Sequence, residues 1–131
     1  MIIDSSGLIA ILRDEPEAAT FAALIEAADA RRLSAASYVE TAAVIDRAND
    51  PVASRRVDEL LDVAEIAIEP VTEHQGRIAR EAFRDFGKGS GHPAQLNFGD
   101  CFAYALAKAT GEQLLFKGSD FIHTDLEPAV A

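Results

Sequence analysis

The chain has 131 residues, 49% of them hydrophobic, with no Trp, one cysteine and a formal net charge of −10. That length suits one domain, 1–131, burying roughly two-thirds of its unfolded surface. The acidity excludes a broad basic footprint for nucleic acid, and Cys101 alone excludes an intrachain disulfide.

In chain order, residues 1–3 (MII) read as a short buried strand that ends at Asp4, and Leu8, Ile9, Ile11 and Leu12 follow at helical spacing. Residues 17–30 carry Phe21, Leu24, Ile25 and Ala28 as an i, i+3, i+4, i+7 stripe. Arg32-Leu33-Ser34 is a brief strand. Ser37 opens a helix through about Ala48, and Asn49-Asp50-Pro51 stops it. The next helix packs Val57, Leu60, Leu61 and Ala64. Ile66, Ala67, Ile68 and Val71 form a strand around Pro70, a residue that belongs at strand ends. Thr72 and Gln75 make a T-x-x-Q capping box, and the helix behind it sets Ala79, Ala82, Phe83 and Phe86 on one face. GKGSGHP, residues 87–93, is an exposed loop. It fails the spacing of a phosphate-binding loop and follows no strand. A helix runs from about Phe98 to Thr110, with Gly111 as its C-cap. Residues 113–116 form the last strand, and Gly118-Ser119-Asp120 turns out of it.

Strands separated by helices predict an α/β fold, a three-layer α/β/α arrangement around a central parallel sheet. Such folds bind ligands at the carboxyl ends of strands, where Asp4 and Asp120 fall. No apolar run approaches the roughly 18–20 residues of a bilayer span. The first residues show neither a basic n-region nor a cleavage site, so the expected location is the cytoplasm, with no membrane partner. The excess acid is concentrated in residues 1–69, with 14 acids against 6 bases, compared with 8 against 6 in the remainder.

Four carboxylates border apolar sequence: Asp4, Glu40, Asp100 and Asp120. Each has an ordinary explanation. Asp4 ends a strand and caps a helix, Glu40 completes Ser37-x-x-Glu40 as a capping box, Asn97-x-x-Asp100 is a weaker form of that device, and Asp120 is a turn residue. Jointly they say more. The helix after Asp100 (Phe102-Ala103-Tyr104-Ala105-Leu106-Ala107) is apolar almost all round, hence buried, and Glu40 heads another Ala-rich helix. If the sheet gathers these positions, like charges about 5 Å apart repel by roughly 3 kcal/mol per pair at an effective dielectric of 20. Protons or a divalent cation must relieve that. Oxygen donors without a His or Cys cluster point to Mg2+ or Mn2+ rather than zinc; His74, His92 and His123 are scattered.

The segments MIIDSSGLIAIL, SAASYVETAAVI, LNFGDCFAYALAK and LLFKGSDF, in that order and spacing, resemble the PIN-domain ribonucleases, most of all the VapC-type toxins of type II toxin–antitoxin pairs. The resemblance spans essentially the whole chain. It implies a PIN-like sandwich with three family acids on Asp4, Glu40 and Asp100, a more variable fourth on Asp120, and a supporting hydroxyl at Ser6. It also implies Mg2+ or Mn2+ as cofactor, RNA as substrate, a cognate antitoxin as partner, and a homodimer within a toxin–antitoxin hetero-oligomer. Gly7 stands where related sequences often have Ala. The implied chemistry is RNA hydrolysis by metal-activated water. In that scheme Asp4 and Asp100 would be the primary ligands, Glu40 would ligate directly or through water and orient the nucleophile, and Asp120 would hold a second ion or an outer water.

Arg13, Lys88 and Lys117 are candidate RNA contacts because each lies near a loop or strand end. An acidic toxin suits a basic antitoxin segment whose Arg enters the carboxylate pocket. Two other readings compete: a phosphoacceptor receiver domain, with Lys117 after the last strand, and a catalytically inactive PIN binding module. The receiver needs an Asp ending a middle strand, whereas Asp46 and Asp50 lie at the end of a helix.

Overall fold

The computed structural model describes residues 1–130. Four strands, β1 (Ile2–Ile3), β2 (Arg32–Ser34), β3 (Ala67–Glu69) and β4 (Leu114–Leu115), pair in parallel in the order β3-β2-β1-β4. The helices are α1 (Ser5–Leu12), α2 (Ala18–Ala27), α3 (Ala35–Asp46), α4 (Pro51–Val63), α5 (Glu73–Phe86) and α6 (Asp100–Thr110).

Strand alternation assigns the two faces. Ile2 and Leu114 pack with Ala79, Ala82, Ala103 and Leu106 under α5 and α6. Their neighbours Ile3 and Leu115 turn the other way, onto Leu8, Ile25, Leu33, Leu61 and Ile66, under α1, α2 and α4. A third cluster, Leu12, Ile45 and Val57, joins α1, α3 and α4. Ile2, Ile3, Leu114 and Leu115 are completely buried, each such side chain contributing roughly 1.5–3 kcal/mol. This is the three-layer α/β architecture that the strand–helix alternation predicts. Because all strands are parallel, their carboxyl ends share one edge.

The α6 helix is as buried as its composition requires: Asp100, Cys101 and all five residues from Ala103 through Ala107 are covered. It ends at Gly111 with φ 71, a left-handed cap that glycine adopts without strain. Pro70 stops β3 at Glu69 because it has no N–H for the ladder. Thr72 caps α5 as its motif predicts, accepting from the Gln75 N–H at 3.2 Å.

Some boundaries differ. The stripe at 17–30 forms a shorter surface helix, of which only Ile25 is fully buried; it stops because Ala28 is already extended to reach β2. Phe83, expected on the buried face of α5, is 41% exposed. The start of α3 is the significant correction. Ser34, the last residue of β2, is itself the cap and accepts from the Ala36 N–H at 3.3 Å. Ser37 therefore lies inside the helix, and no Ser37–Glu40 capping box forms. A β-carbon at Gly7 would sit in ordinary contact, 3.5 Å from the Leu115 carbonyl oxygen, so alanine fits there.

Candidate active site

Asp4 leaves β1 in extended geometry (φ −77, ψ 155) and caps α1. Its Oδ2 accepts from the Ser6 N–H at 3.0 Å and from the Ser6 hydroxyl at 2.6 Å. The same hydroxyl accepts from the Lys117 N–H at 3.0 Å, so Ser6 ties the chain after β4 to the start of α1. The other oxygen, Asp4 Oδ1, is buried with no hydrogen-bond partner. A buried acceptor left in that state costs roughly 1–3 kcal/mol, more when charged.

Asp100 opens α6 through a reciprocal box. Its Oδ2 accepts from the Asn97 N–H at 2.9 Å, while its own N–H donates to Asn97 Oδ1 at 2.8 Å. The capping role and a role at the site are therefore not alternatives for these two acids: one oxygen caps, and the other is left over. For Glu40 the ordinary explanation falls away. It projects from the second turn of α3, and its Oε1 accepts from the Ser5 hydroxyl at 2.5 Å, 35 residues distant in sequence. Asp120 is exposed in the turn after β4.

Asp4 and Asp100 both feel neighbouring carboxylates. Burial, with a smaller push from the Glu40 charge, raises Asp4 to about 6 against the Ser6 hydrogen bonds that lower it. Burial also raises Asp100 to about 7; the Asn97 N–H opposes this, and the charges of Asp4, Asp120 and Glu40 add to it. Three of the four thus meet at the carboxyl edge, with Asp120 outside them near enough to act on Asp100.

Among the described residues no three His, Cys, Asp or Glu side chains converge closely enough to hold a metal ion between them. The donor set is carboxylate oxygen only, one of it orphaned. That suits a hard cation that keeps several of its own waters and takes one or two carboxylates directly. Asp4 and Asp100, each with one oxygen not engaged in capping, are the groups that would hold such an ion, with Glu40 beside them.

None of the basic candidates forms an ion pair with these acids among the described residues. Arg13 is the C-cap of α1, roughly 13–14 Å along the helix from Asp4. Lys88 is exposed in the loop whose ends Gly87 and Leu96 bridge. Lys117 Nζ lies 3.2 Å from both Glu15 and Glu17, so its charge is engaged within the chain. Sequence reasoning assigned no site role to Ser5 or Gly99. A β-carbon added at Gly99 would overlap the Glu40 carboxylate. Their only signal was adjacency to Asp4 and Asp100.

The PIN domain family model matches residues 1–127. Ribonuclease VapC28 of Mycobacterium tuberculosis is 58% identical over 130 residues, covering 99% of this chain and 98% of the relative. Ribonuclease VapC42 of the same organism is 49% identical over 129 residues, covering 98% of each. The crystal structure of Mycobacterium tuberculosis VapC20, a sarcin-ricin loop cleaving toxin, superposes with a TM-score of 0.78 at 17% identity, covering 99% of this chain and 98% of that one. A chain of a toxin–antitoxin complex from Klebsiella pneumoniae gives 0.69 at 16% identity, covering 92% and 88%. These two structures bear on the fold alone. With the carboxyl-edge acids, the whole-length family match and near-full-length relatives at 58% and 49% identity, the chain belongs to the PIN-domain family, among the VapC ribonucleases.

Proposed function

We propose that this chain, as one PIN-like domain, is a Mg2+-dependent endoribonuclease, with Mn2+ able to substitute, and the toxin of a toxin–antitoxin pair. One observation carries the reading: the buried, unpartnered Oδ1 of Asp4 beside two further acids at the carboxyl edge of a parallel sheet. A bound divalent cation supplies charge for the scissile phosphate and lowers the pKa of a water there.

The chain's own residues do the rest. Asp4 and Asp100 hold the ion, each steadied through its second oxygen, by Ser6 and by Asn97. Glu40 orients the attacking water, and Asp120 serves an outer water or a second ion. RNA contacts fall to exposed cations, with Arg13 and Lys88 as the candidates whose charge no ion pair among the described residues engages. The relatives' names support the ribonuclease and toxin readings. The expected partners are a cognate antitoxin offering a basic segment, and a second copy of the chain; the expected location is the cytoplasm. No described helix is long and apolar enough to cross a membrane.

Sheet topology weighs against a receiver domain. The order β3-β2-β1-β4 differs from the 2-1-3-4-5 order of flavodoxin-like folds.

Purified protein incubated with RNA should cleave it in Mg2+ and fail in EDTA, leaving 5′-phosphate and 3′-hydroxyl ends. A 2′,3′-cyclic phosphate product would overturn the scheme. Asp4→Asn or Asp100→Asn should lower kcat by roughly 10³-fold with an unchanged circular dichroism spectrum.

A further inference from the structure

Glu40 is held from two sides by residues that the scheme above does not use. Ser5 donates its hydroxyl to Oε1 at 2.5 Å. Gly99 faces the same carboxylate with no side chain: a β-carbon there would overlap Oε2 and crowd Cδ and Oε1. The backbone of Gly99 does not require glycine. Its φ −63 and ψ −38 are ordinary right-handed helix, and at such a site alanine normally stabilises by narrowing the unfolded ensemble. Glu40 is what excludes a side chain. The atoms in conflict are the far end of a flexible side chain, so a methyl at 99 displaces the carboxylate and leaves the backbone in place.

We propose that Gly99 and Ser5 are positioning residues for Glu40. The bare Cα of Gly99 opens the berth in which the carboxylate lies against the start of α6, and the Ser5 hydroxyl fixes its rotation there. Ser5 follows Asp4 and Gly99 precedes Asp100, so the supports of the third acid are the chain neighbours of the first two. The contact pins α3 to α1 and α6 at the point where the acids meet. The functional part of this inference rests on Glu40 being an acid of the active site; the contact itself does not.

A double-mutant cycle separates the two. Gly99→Ala should weaken Mn2+ binding, measured by titration calorimetry, by roughly 10–100-fold. Glu40→Ala should weaken it comparably, and the double variant no further. Ser5→Ala, which adds no bulk, should cost roughly threefold to tenfold. Metal-free melting supplies a readout independent of cleavage. Gly99→Ala should raise the melting temperature by roughly 2–4 °C in the Glu40→Ala background and give no gain in the native background, where it breaks the Ser5–Glu40 hydrogen bond. Equal gains in both backgrounds, or additive losses of Mn2+ affinity, would overturn the proposal. If Glu40→Ala leaves Mn2+ affinity and cleavage unchanged, Glu40 is not an acid of the site and the positioning role falls with it, whatever the melting shows.

Discussion

At the amino edge of the sheet, Glu112 meets the Met1 amine at 2.6 Å and the Arg32 guanidinium at 2.9 Å, and Arg32 also reaches Glu69 at 3.1 Å. At the carboxyl edge, Asp4 and Asp100 meet hydroxyl and amide donors and one another's charge, but no cation among the described residues. Burial pushes the carboxyls of both edges upward. At Glu112 the amine and Arg32 outweigh that push and hold the group below its usual value; at Asp4 and Asp100 nothing does, and they rise to about 6 and about 7. Lys117 sends its backbone N–H to Ser6 but turns its ammonium to Glu15 and Glu17. One edge is thus complete within the chain, and the other has room for a charge from outside.

The largest consequence concerns pH. Asp4 titrates from a reference of 3.8 in the unfolded chain and about 6 in the folded one, so folding favours its protonated form. The stability it contributes is fully present below pH 4 and is lost as pH rises through 6; Asp100, at about 7, extends the loss. The metal-free melting temperature should therefore fall between pH 4 and pH 8, and Mn2+ should recover most of the fall. At pH 8, Asp4→Asn should stabilise the metal-free protein by up to roughly 3 kcal/mol, while lowering kcat by roughly 10³-fold. A metal-free melting temperature that holds level across this range would break the contrast between the two edges.

Glu112→Gln probes the opposite edge with the opposite sign. Its carboxyl is held below the reference of 4.5, so its stabilising contribution is present above that pH and is lost as pH falls through the depressed folded value. At pH 7 the substitution should lower the melting temperature by about 3 °C. Near pH 3 the difference should shrink, and cleavage per folded molecule should not change at either pH. A loss of Mn2+ affinity in this variant would show that the two edges are coupled.

The features legible in the sequence are those set by local pattern or by bulk burial. Alternating short apolar runs and amphipathic segments gave the parallel α/β order. The unbroken apolar surface of residues 101–107 placed α6 in the core and Asp100 at its head. Asn97-x-x-Asp100 predicted a reciprocal box that the structure contains. Ser37-x-x-Glu40 matched the same rule and misled, because capping patterns are local and the group that takes Glu40 is Ser5, 35 residues earlier. The berth at Gly99 had no local signature, since its backbone is ordinary helix and its requirement comes from another element's side chain. Lys117 appeared as an available cation for the same reason: its partners lie about a hundred residues away, at Glu15 and Glu17.

Lys117 also gives the smallest expected effect and sharpens the contrast from the side of the substrate. Its ion pairs are at the surface with half-buried partners, and such pairs contribute little, so Lys117→Ala should move the melting temperature by no more than about 2 °C. If its ammonium serves Glu15 and Glu17, KM for RNA and its dependence on salt should be unchanged. A phosphate contact would instead flatten the slope of log KM against log salt by about 0.7. Lys88→Ala is the matched control. Lys88 is exposed and makes no ion pair among the described residues, so the flattened slope is expected there. Should Lys117 show it and Lys88 not, RNA would be competing for the Glu15 and Glu17 partner, and the chain after β4 would be the side from which substrate reaches Asp4.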